Sequence, residues 1–243
     1  MIKSNKVYDS LNSLFGSTNI DFMNHGYFPP SSLIKKENEI FKNQKSLYLS
    51  LFENIKTQDK SILEIGCGRG GGINTLNKYF TFSSVSACDI NKENIKYCKK
   101  NFLNNIDFKV SDALSLDYAD KSFDIIINVE SSHCYEDFSK FFLEVKRVLK
   151  PGGIFLYTDC GDTIQNFPQF FYLFKNIVRQ DITKHVADAC FDDIKNFNNL
   201  NIKEEIKNWL ISLSVFKYNE YSLKNNQYIK YICFDDDNWI EKK

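Results

Sequence analysis

Ser61-Ile62-Leu63-Glu64-Ile65-Gly66-Cys67-Gly68-Arg69-Gly70-Gly71-Gly72 is the stretch on which the fold of this chain turns. Its first half is a short apolar run with no turn former, ending on glycine. That pattern belongs to a strand buried on both faces of a parallel sheet, because a half-solvated strand would alternate apolar and polar residues. Gly66, Gly68 and Gly71 then satisfy G-x-G-x-x-G, and residues from Gly70 to Phe80 read as a helix. So many glycines weaken a turn unless something must approach its backbone. The arrangement fits a dinucleotide whose pyrophosphate rests on the turn. It fits equally a nucleoside cofactor whose charged tail lies there.

Outward from this unit, strands alternate with helices. Ser83 to Asp89, Ile106 to Ser111, Phe123 to Glu130 and Ile154 to Asp159 read as strands. Asn91 caps a predicted helix running to Asn104, with Ile95, Cys98 and Phe102 on one face. Phe138, Phe141, Phe142, Val145, Val148 and Leu149 recur at helical spacing until Pro151-Gly152-Gly153 ends the run. Later, Ile177 to Thr183 reads as a strand, Lys184 to Phe197 as a helix and Tyr228 to Phe234 as a final strand. This is the pattern of an α/β doubly wound sheet. Residues 1–60 read as polar and helical, interrupted by the loop Asn24-His25-Gly26-Tyr27-Phe28-Pro29-Pro30.

The 243 residues suffice for one domain with a self-sufficient core. With 31 basic and 31 acidic side chains the net charge is zero, and only Arg69, Arg147 and Arg179 are arginines, which excludes a broadly basic nucleic-acid binder. The seven cysteines are odd in number and scattered, with no C-x-x-C pair. No disulfide framework and no metal site is therefore expected, and reduced thiols point to the cytoplasm. Met1 to Asn12 carries no apolar signal segment, and no run is long enough to span a membrane. Aromatics reach 15%. Their excess fits an apolar ligand cavity or a Phe-rich core.

Carboxylates at strand ends narrow the cofactor. Glu64, two residues before Gly66, would repel a pyrophosphate but suits the ammonium and sulfonium end of S-adenosylmethionine. Asp89 ends the second strand, where an acid accepts both ribose hydroxyls. Asp112 follows the third, placed to accept from an adenine amino group.

Ile62 to Gly72, with Ala87-Cys88-Asp89-Ile90, Ser111-Asp112-Ala113, Phe123 to Ile126 and Val148 to Gly153, resembles the ordered motifs of class I S-adenosylmethionine-dependent methyltransferases. Asn128-Val129-Glu130-Ser131-Ser132-His133-Cys134-Tyr135 is similar to the small-molecule group of polyketide, glycolipid and sugar tailoring, including the phthiotriolone methyltransferase type. The resemblance implies a Rossmann-like sheet of about seven strands, the last antiparallel. It implies an N-terminal helical lid over residues 1–60, a methyltransferase domain over 61–243 and a helical insertion near 184–225 that selects the acceptor. The cofactor set it implies is Tyr27 from the lid, then Glu64, Gly66, Cys67, Gly68, Gly70, Asp89, Ile90, Asp112, Ala113, Val129 and Glu130. Methyl transfer to the oxygen of a small, apolar, polyketide or lipid-like acceptor is expected, by a monomer or homodimer.

His133 lies just past the fourth strand, at the sheet edge where ligands bind, and is placed as general base for a hydroxyl. Asp159, ending the fifth strand, matches an acid that assists substrate or base in the resembling sugar methyltransferases, some of which have a second histidine where Cys134 stands here. Plainer roles compete: a ligand-packing histidine at 133, a turn-capping acid at 159, a surface histidine at 25, and Cys134 and Cys160 as packing residues. C- or N-methylation, an NAD-dependent oxidoreductase and a cofactor-retaining binding module are the other readings.

Overall fold

The computed structural model describes Phe15, Thr18 and residues 20–34, 40–102, 105–223 and 226–236. The helical reading of residues 1–14, the Lys35-Lys36 pair and the end of the predicted helix at Asn104 lie outside these residues. A seven-stranded sheet runs through the molecule: β1 (Ser61–Ile65), β2 (Ser84–Asp89), β3 (Ile106–Val110), β4 (Phe123–Val129), β5 (Leu149–Cys160), β6 (Asn176–Asp181) and β7 (Tyr228–Phe234). Their spatial order is 3-2-1-4-5-7-6. The first five are parallel, and β7 inserts antiparallel between β5 and β6.

The unalternating β1 has its physical reason here. Ile62 points into one core layer while Leu63 and Ile65 point into the other, so both faces are covered by helices. On one side lie α1 (Lys42–Leu51), α2 (Gly71–Tyr79) and α3 (Lys92–Asn101). Asn91 caps α3 as its sequence position predicts, accepting from Glu93 N and Asn94 N. On the other side α4 (Phe138–Val148) buries Phe141, Phe142, Val145 and Val148. Phe155, Tyr157, Phe167, Phe170, Phe174 and Tyr231 pack with them. The aromatic excess is therefore mostly core.

Strand β5 starts earlier than the sequence reading has it, because Leu149 pairs with Phe123 across an irregularity before Ile125. After the short α5 (Asp162–Asn166), two helices separate β6 from β7: α6 (Thr183–Phe197) and α7 (Glu204–Leu223). The sequence reading carries α7 only within the helical insertion expected near 184–225 and gives it no bounds of its own. Apolar residues surround that helix, with Ile206 and Leu210 in the core but Val215 and Phe216 exposed, so no clean amphipathic stripe announces it. Of the expected N-terminal helical lid, residues 20–34 are neither helix nor strand, and α1 packs on α2.

Candidate active site

The glycine turn is fastened to the second strand. Gly66 N and Cys67 N donate to Cys88 O at 2.8 and 3.0 Å, and Gly68 N donates to Asp89 Oδ2 at 2.8 Å. Gly66 and Gly68 have φ of +72° and +53°, a region costly for residues with a Cβ. A Cβ on Gly66 would lie 2.0 Å from Ser131 Oγ, and one on Gly68 2.7 Å from Met23 Cε. Only glycine fits at these two positions, because the turn packs directly against Ser131, Tyr135 and Met23.

Asp89 accepts three bonds from protein: Gly68 N on Oδ2, and Asn91 N (2.8 Å) and Asn94 Nδ2 (3.3 Å) on Oδ1. A carboxylate has about four acceptor positions, so capacity remains. Burial raises its pKa against these bonds. Asp112 Oδ1 accepts from Leu114 N at 2.9 Å, which fixes the turn after β3.

A strap crosses the turn from the N-terminal side. Arg69 Nε donates to Ile20 O at 2.7 Å and its Nη2 to Thr18 O at 3.0 Å, while the guanidinium lies 3.6 Å from the Tyr97 ring centre. Tyr97 OH donates to Asp21 Oδ1 at 2.6 Å, and Gly71 N to Asp21 O at 3.2 Å. Arg69 therefore holds backbone rather than phosphate. Its rarity in a lysine-rich chain was the one signal that could have marked it.

Beyond β4, a short 3₁₀ turn, Ser132–Cys134, presents His133. Asp159 is fully buried and collects its partners there: His133 Nδ1 at 2.8 Å, His133 N at 3.1 Å, Ser132 Oγ at 2.7 Å and Cys160 N at 2.9 Å. Ser132 Oγ is in turn 2.8 Å from Tyr157 OH. The His133 side chain keeps 39% of its surface exposed. Burial alone would lower its pKa, but the Asp159 hydrogen bond and charge, with Cys134 beside it, push it up to about 11. An unperturbed imidazole titrates at ~6.5. The shift comes from the buried anion beside the ring.

A second pair stands opposite. Glu130 has φ +47° and is held by His25, whose backbone N donates to Oε1 at 2.8 Å and whose ring pairs with Oε2, and by Tyr228 OH. Burial opposes its ionisation, but the charge and hydrogen bonds of His25, with the Tyr228 bond, keep its pKa below the ordinary value. His25 is thus a buried partner of Glu130, not a surface histidine.

These groups surround one cavity of about 850 Å³. Gly66, Cys67, Gly68, Asp89, Ile90, Asp112, Ala113, Val129, Glu130 and His133 line it. Four sequence-predicted residues do not. Glu64 is fully buried behind it, accepting from Tyr48 OH (2.8 Å) and Ile73 N (3.0 Å), and burial pushes its carboxyl up to about 8 against those bonds. Gly70 faces away, toward Cys98 and Phe102. Tyr27 stacks on His185 at 4.4 Å, tying the loop to α6 instead of covering the cofactor wall. Asp159 lies behind His133 and bonds to its ring. Conversely, Trp209, Leu213 and Lys217 line the cavity from one face of α7, and Tyr48 from α1. Sequence reasoning missed all four. Among the described residues no cluster of three or more His, Cys, Asp or Glu is arranged to hold a metal.

Residues 63–157 match a family described as a methyltransferase domain. The matched span is a little under two fifths of the chain. It reaches from β1 through β5 and so includes the glycine turn, Asp89, Asp112, Glu130 and His133. The chain is 38% identical over 143 residues to a fatty-acid O-methyltransferase of Mycolicibacterium smegmatis, covering 57% of this chain and 52% of the relative. It is 39% identical over 148 residues to a phthiotriol/phenolphthiotriol dimycocerosates methyltransferase of Mycobacterium tuberculosis, covering 59% and 55%. The match thus spans about half the length of these relatives. Among solved structures, a Haemonchus contortus phosphoethanolamine N-methyltransferase superposes with a TM-score of 0.71 at 16% identity, over 95% of this chain and 57% of that one. The [4+2]-cyclase SpnF superposes at 0.70 and 18%, over 94% and 92%. The chain therefore shares the Rossmann-like fold of these structures, and SpnF illustrates that this fold hosts more than one chemistry. No helix among the described residues is long and apolar enough to cross a membrane.

Proposed function

We propose that this protein is an S-adenosylmethionine-dependent methyltransferase acting on an oxygen of a small, lipid-like acceptor. The observation that carries the reading is the shared cavity. At one end a bare glycine turn and two strand-end acids face it, and at the other a histidine backed by a buried aspartate. A volume of about 850 Å³ lies in the upper part of the ~300–1,000 Å³ range for ligand pockets, which suits a cofactor and an acceptor together. Relatives named for fatty acids and for phthiotriol dimycocerosates support a lipid-like acceptor.

The residues present fit this cofactor. Gly66 and Gly68 line the cavity, and a side chain at either would strike Ser131 or Met23. Asp89 keeps acceptor capacity for ribose hydroxyls, Asp112 is placed for an adenine amino group, and Ile90, Ala113 and Val129 supply apolar walls. When bound, S-adenosylmethionine supplies a methyl group on a positively charged sulfur.

The chain's main task is alignment, which can supply about 7–11 kcal/mol of a barrier. At the acceptor end we assign His133 to the acceptor oxygen and Asp159 to orienting its ring. For a hydroxyl acceptor His133 is the general base, after first giving up the proton that Asp159 helps it hold. For an oxygen already ionised, the same imidazolium is a hydrogen-bond donor. Residues up to 60 serve as the cap and α6–α7 as the acceptor-side insertion. No two of the seven cysteines are joined in a disulfide, which supports work in a reducing compartment such as the cytoplasm.

Calorimetry with S-adenosylhomocysteine and NAD, followed by transfer of labelled methyl to extracted lipids, tests the reading. Tight S-adenosylhomocysteine binding and a labelled, extractable product are expected. NAD binding in its place overturns it, and cofactor binding without transfer to any lipid leaves a binding module.

A further inference from the structure

A second, much smaller cavity shares a wall with the first, where the strap, α1, α6 and α7 meet. Its volume is about 20 Å³, room for one water-sized body, which needs ~10–15 Å³. The polar part of its wall is Asn24 and His25 from the strap, Gln44 from α1, Asp193 from α6 and Ser214 from α7. Gln44 is 4% exposed and Asp193 3%. Gln44 Nε2 donates to Asp193 Oδ2 at 2.5 Å, and Asn43 Nδ2 donates to Asp193 Oδ1 at 2.8 Å. Both amides are thereby turned nitrogen-first toward the carboxylate, and their oxygens are left over. Gln44 Oε1 and Asn43 Oδ1 are buried and accept from no described group. The same holds for Asn24 Oδ1, whose Nδ2 is spent on Gln44 O at 3.0 Å. Buried acceptors without a donor are costly and call for an explanation. Asp193 also lacks a cation. Lys42 sits on Asp192 at 3.3 Å, and the His25 ring is engaged by Glu130. Burial pushes the Asp193 carboxyl up to about 7, against the bonds from Gln44 and Asn43. Of the charges around it, Asp192 raises it further and Lys42 lowers it, while Lys217 on α7 is felt at neighbouring Cys190.

We infer that this small cavity binds one monovalent cation of about the size of water, potassium, held by the Asp193 carboxylate, the unpartnered amide oxygens of Gln44 and Asn24 and the Ser214 hydroxyl. Oxygen donors suit a hard cation, and one carboxylate among neutral oxygens balances a single positive charge. Calcium takes six to eight oxygens and magnesium keeps several waters, for which this space has no room. A water molecule would donate to the amide oxygens but would leave the Asp193 charge unbalanced. Protons compete with the cation for Asp193, so potassium binds more tightly as pH rises through about 7. The bound ion joins the strap to α1, α6 and α7 at a point one residue from the His25–Glu130 pair.

The test compares thermal unfolding of the full chain in potassium chloride and in choline chloride of the same ionic strength, at about pH 6 and pH 8. At the higher pH, potassium at about tenfold excess over its Kd should raise Tm by about 3–6 °C, and the gain should shrink at the lower pH. Asp193→Asn removes the charge, and Ser214→Val puts an apolar group into the space. Each should abolish the potassium-dependent shift, whatever its own Tm in choline. Crystals grown with thallium(I), which mimics potassium, should show an anomalous peak between Gln44 and Asp193. Equal melting in potassium and choline, a shift that survives in both variants, or no thallium peak overturns the inference and leaves water or a proton in the cavity. None of these measurements involves methyl transfer, so the functional reading above stands or falls separately.

Discussion

His133 Nδ1 lies 2.8 Å from Oδ1 of Asp159, a carboxylate with no exposed surface. A partly exposed ring on a buried anion is a charged donor at neutral pH, and this sets the pH behaviour of the site. Because the folded pKa stands near 11, the pair's contribution to stability is fully present below about 6.5 and is lost as pH rises through about 11. Asp159→Asn should bring the His133 titration down by several units, read from the ring carbon-bound proton in NMR. A titration unchanged by this substitution would assign the shift to something other than Asp159.

The same pairing predicts the pH–rate profile. With an ionised acceptor, wild-type turnover should be flat from about pH 8 to 6, lacking the acid limb near ~6.5 that a neutral histidine base gives. His133→Ala should cost activity by loss of a charged donor, about 10–100-fold at kcat, with cofactor affinity unchanged. An acid limb near 6.5 that vanishes in His133→Ala would return the residue to the role of general base.

Asp89 both receives the glycine turn and faces the cavity. Asp89→Ala should weaken S-adenosylhomocysteine binding by about 1.5–3 kcal/mol, the range for hydrogen bonds to a charged group, as read by calorimetry. Equal affinity in the variant and the wild type would remove Asp89 from the cofactor site.

Gly66→Ala meets two obstacles at once, a φ of +72° and Ser131 Oγ 2.0 Å from the new Cβ. The backbone cost alone is about 1–2 kcal/mol, so the melting temperature should fall along with cofactor affinity. Adding Ser131→Gly should recover part of the lost stability but not the affinity. Full recovery of both would mean that the turn touches no ligand.

The strap held by Arg69 should respond to ligand. Amide exchange in residues 20–28 should slow on addition of S-adenosylhomocysteine, and Arg69→Ala should speed it in the free protein, because two backbone carbonyls lose their donor. Identical exchange with and without ligand would separate the strap from the cofactor.

The sequence by itself determined the sheet, the glycine turn and the strand-end acids Asp89 and Asp112. Each rests on local physics: an apolar run too uniform for a solvated strand, glycines where φ is positive, acids at the ends of parallel strands. It also placed His133 and Asp159 at one sheet edge, since parallel strands deliver their carboxyl ends to the same side. Only the tertiary structure decided what those groups meet. Glu64 went behind the wall because Tyr48, sixteen residues earlier, fills the space before it. His25 found Glu130 across 105 residues of chain, and Lys217 and Trp209 reached the cavity on a helix whose apolar residues face every way. Such contacts leave no periodic trace, because they are made between layers that pack only after each element has formed. The charge on His133 is the sharpest case: the residue was legible, but its proton is set by a neighbour 26 positions away whose burial only the fold creates.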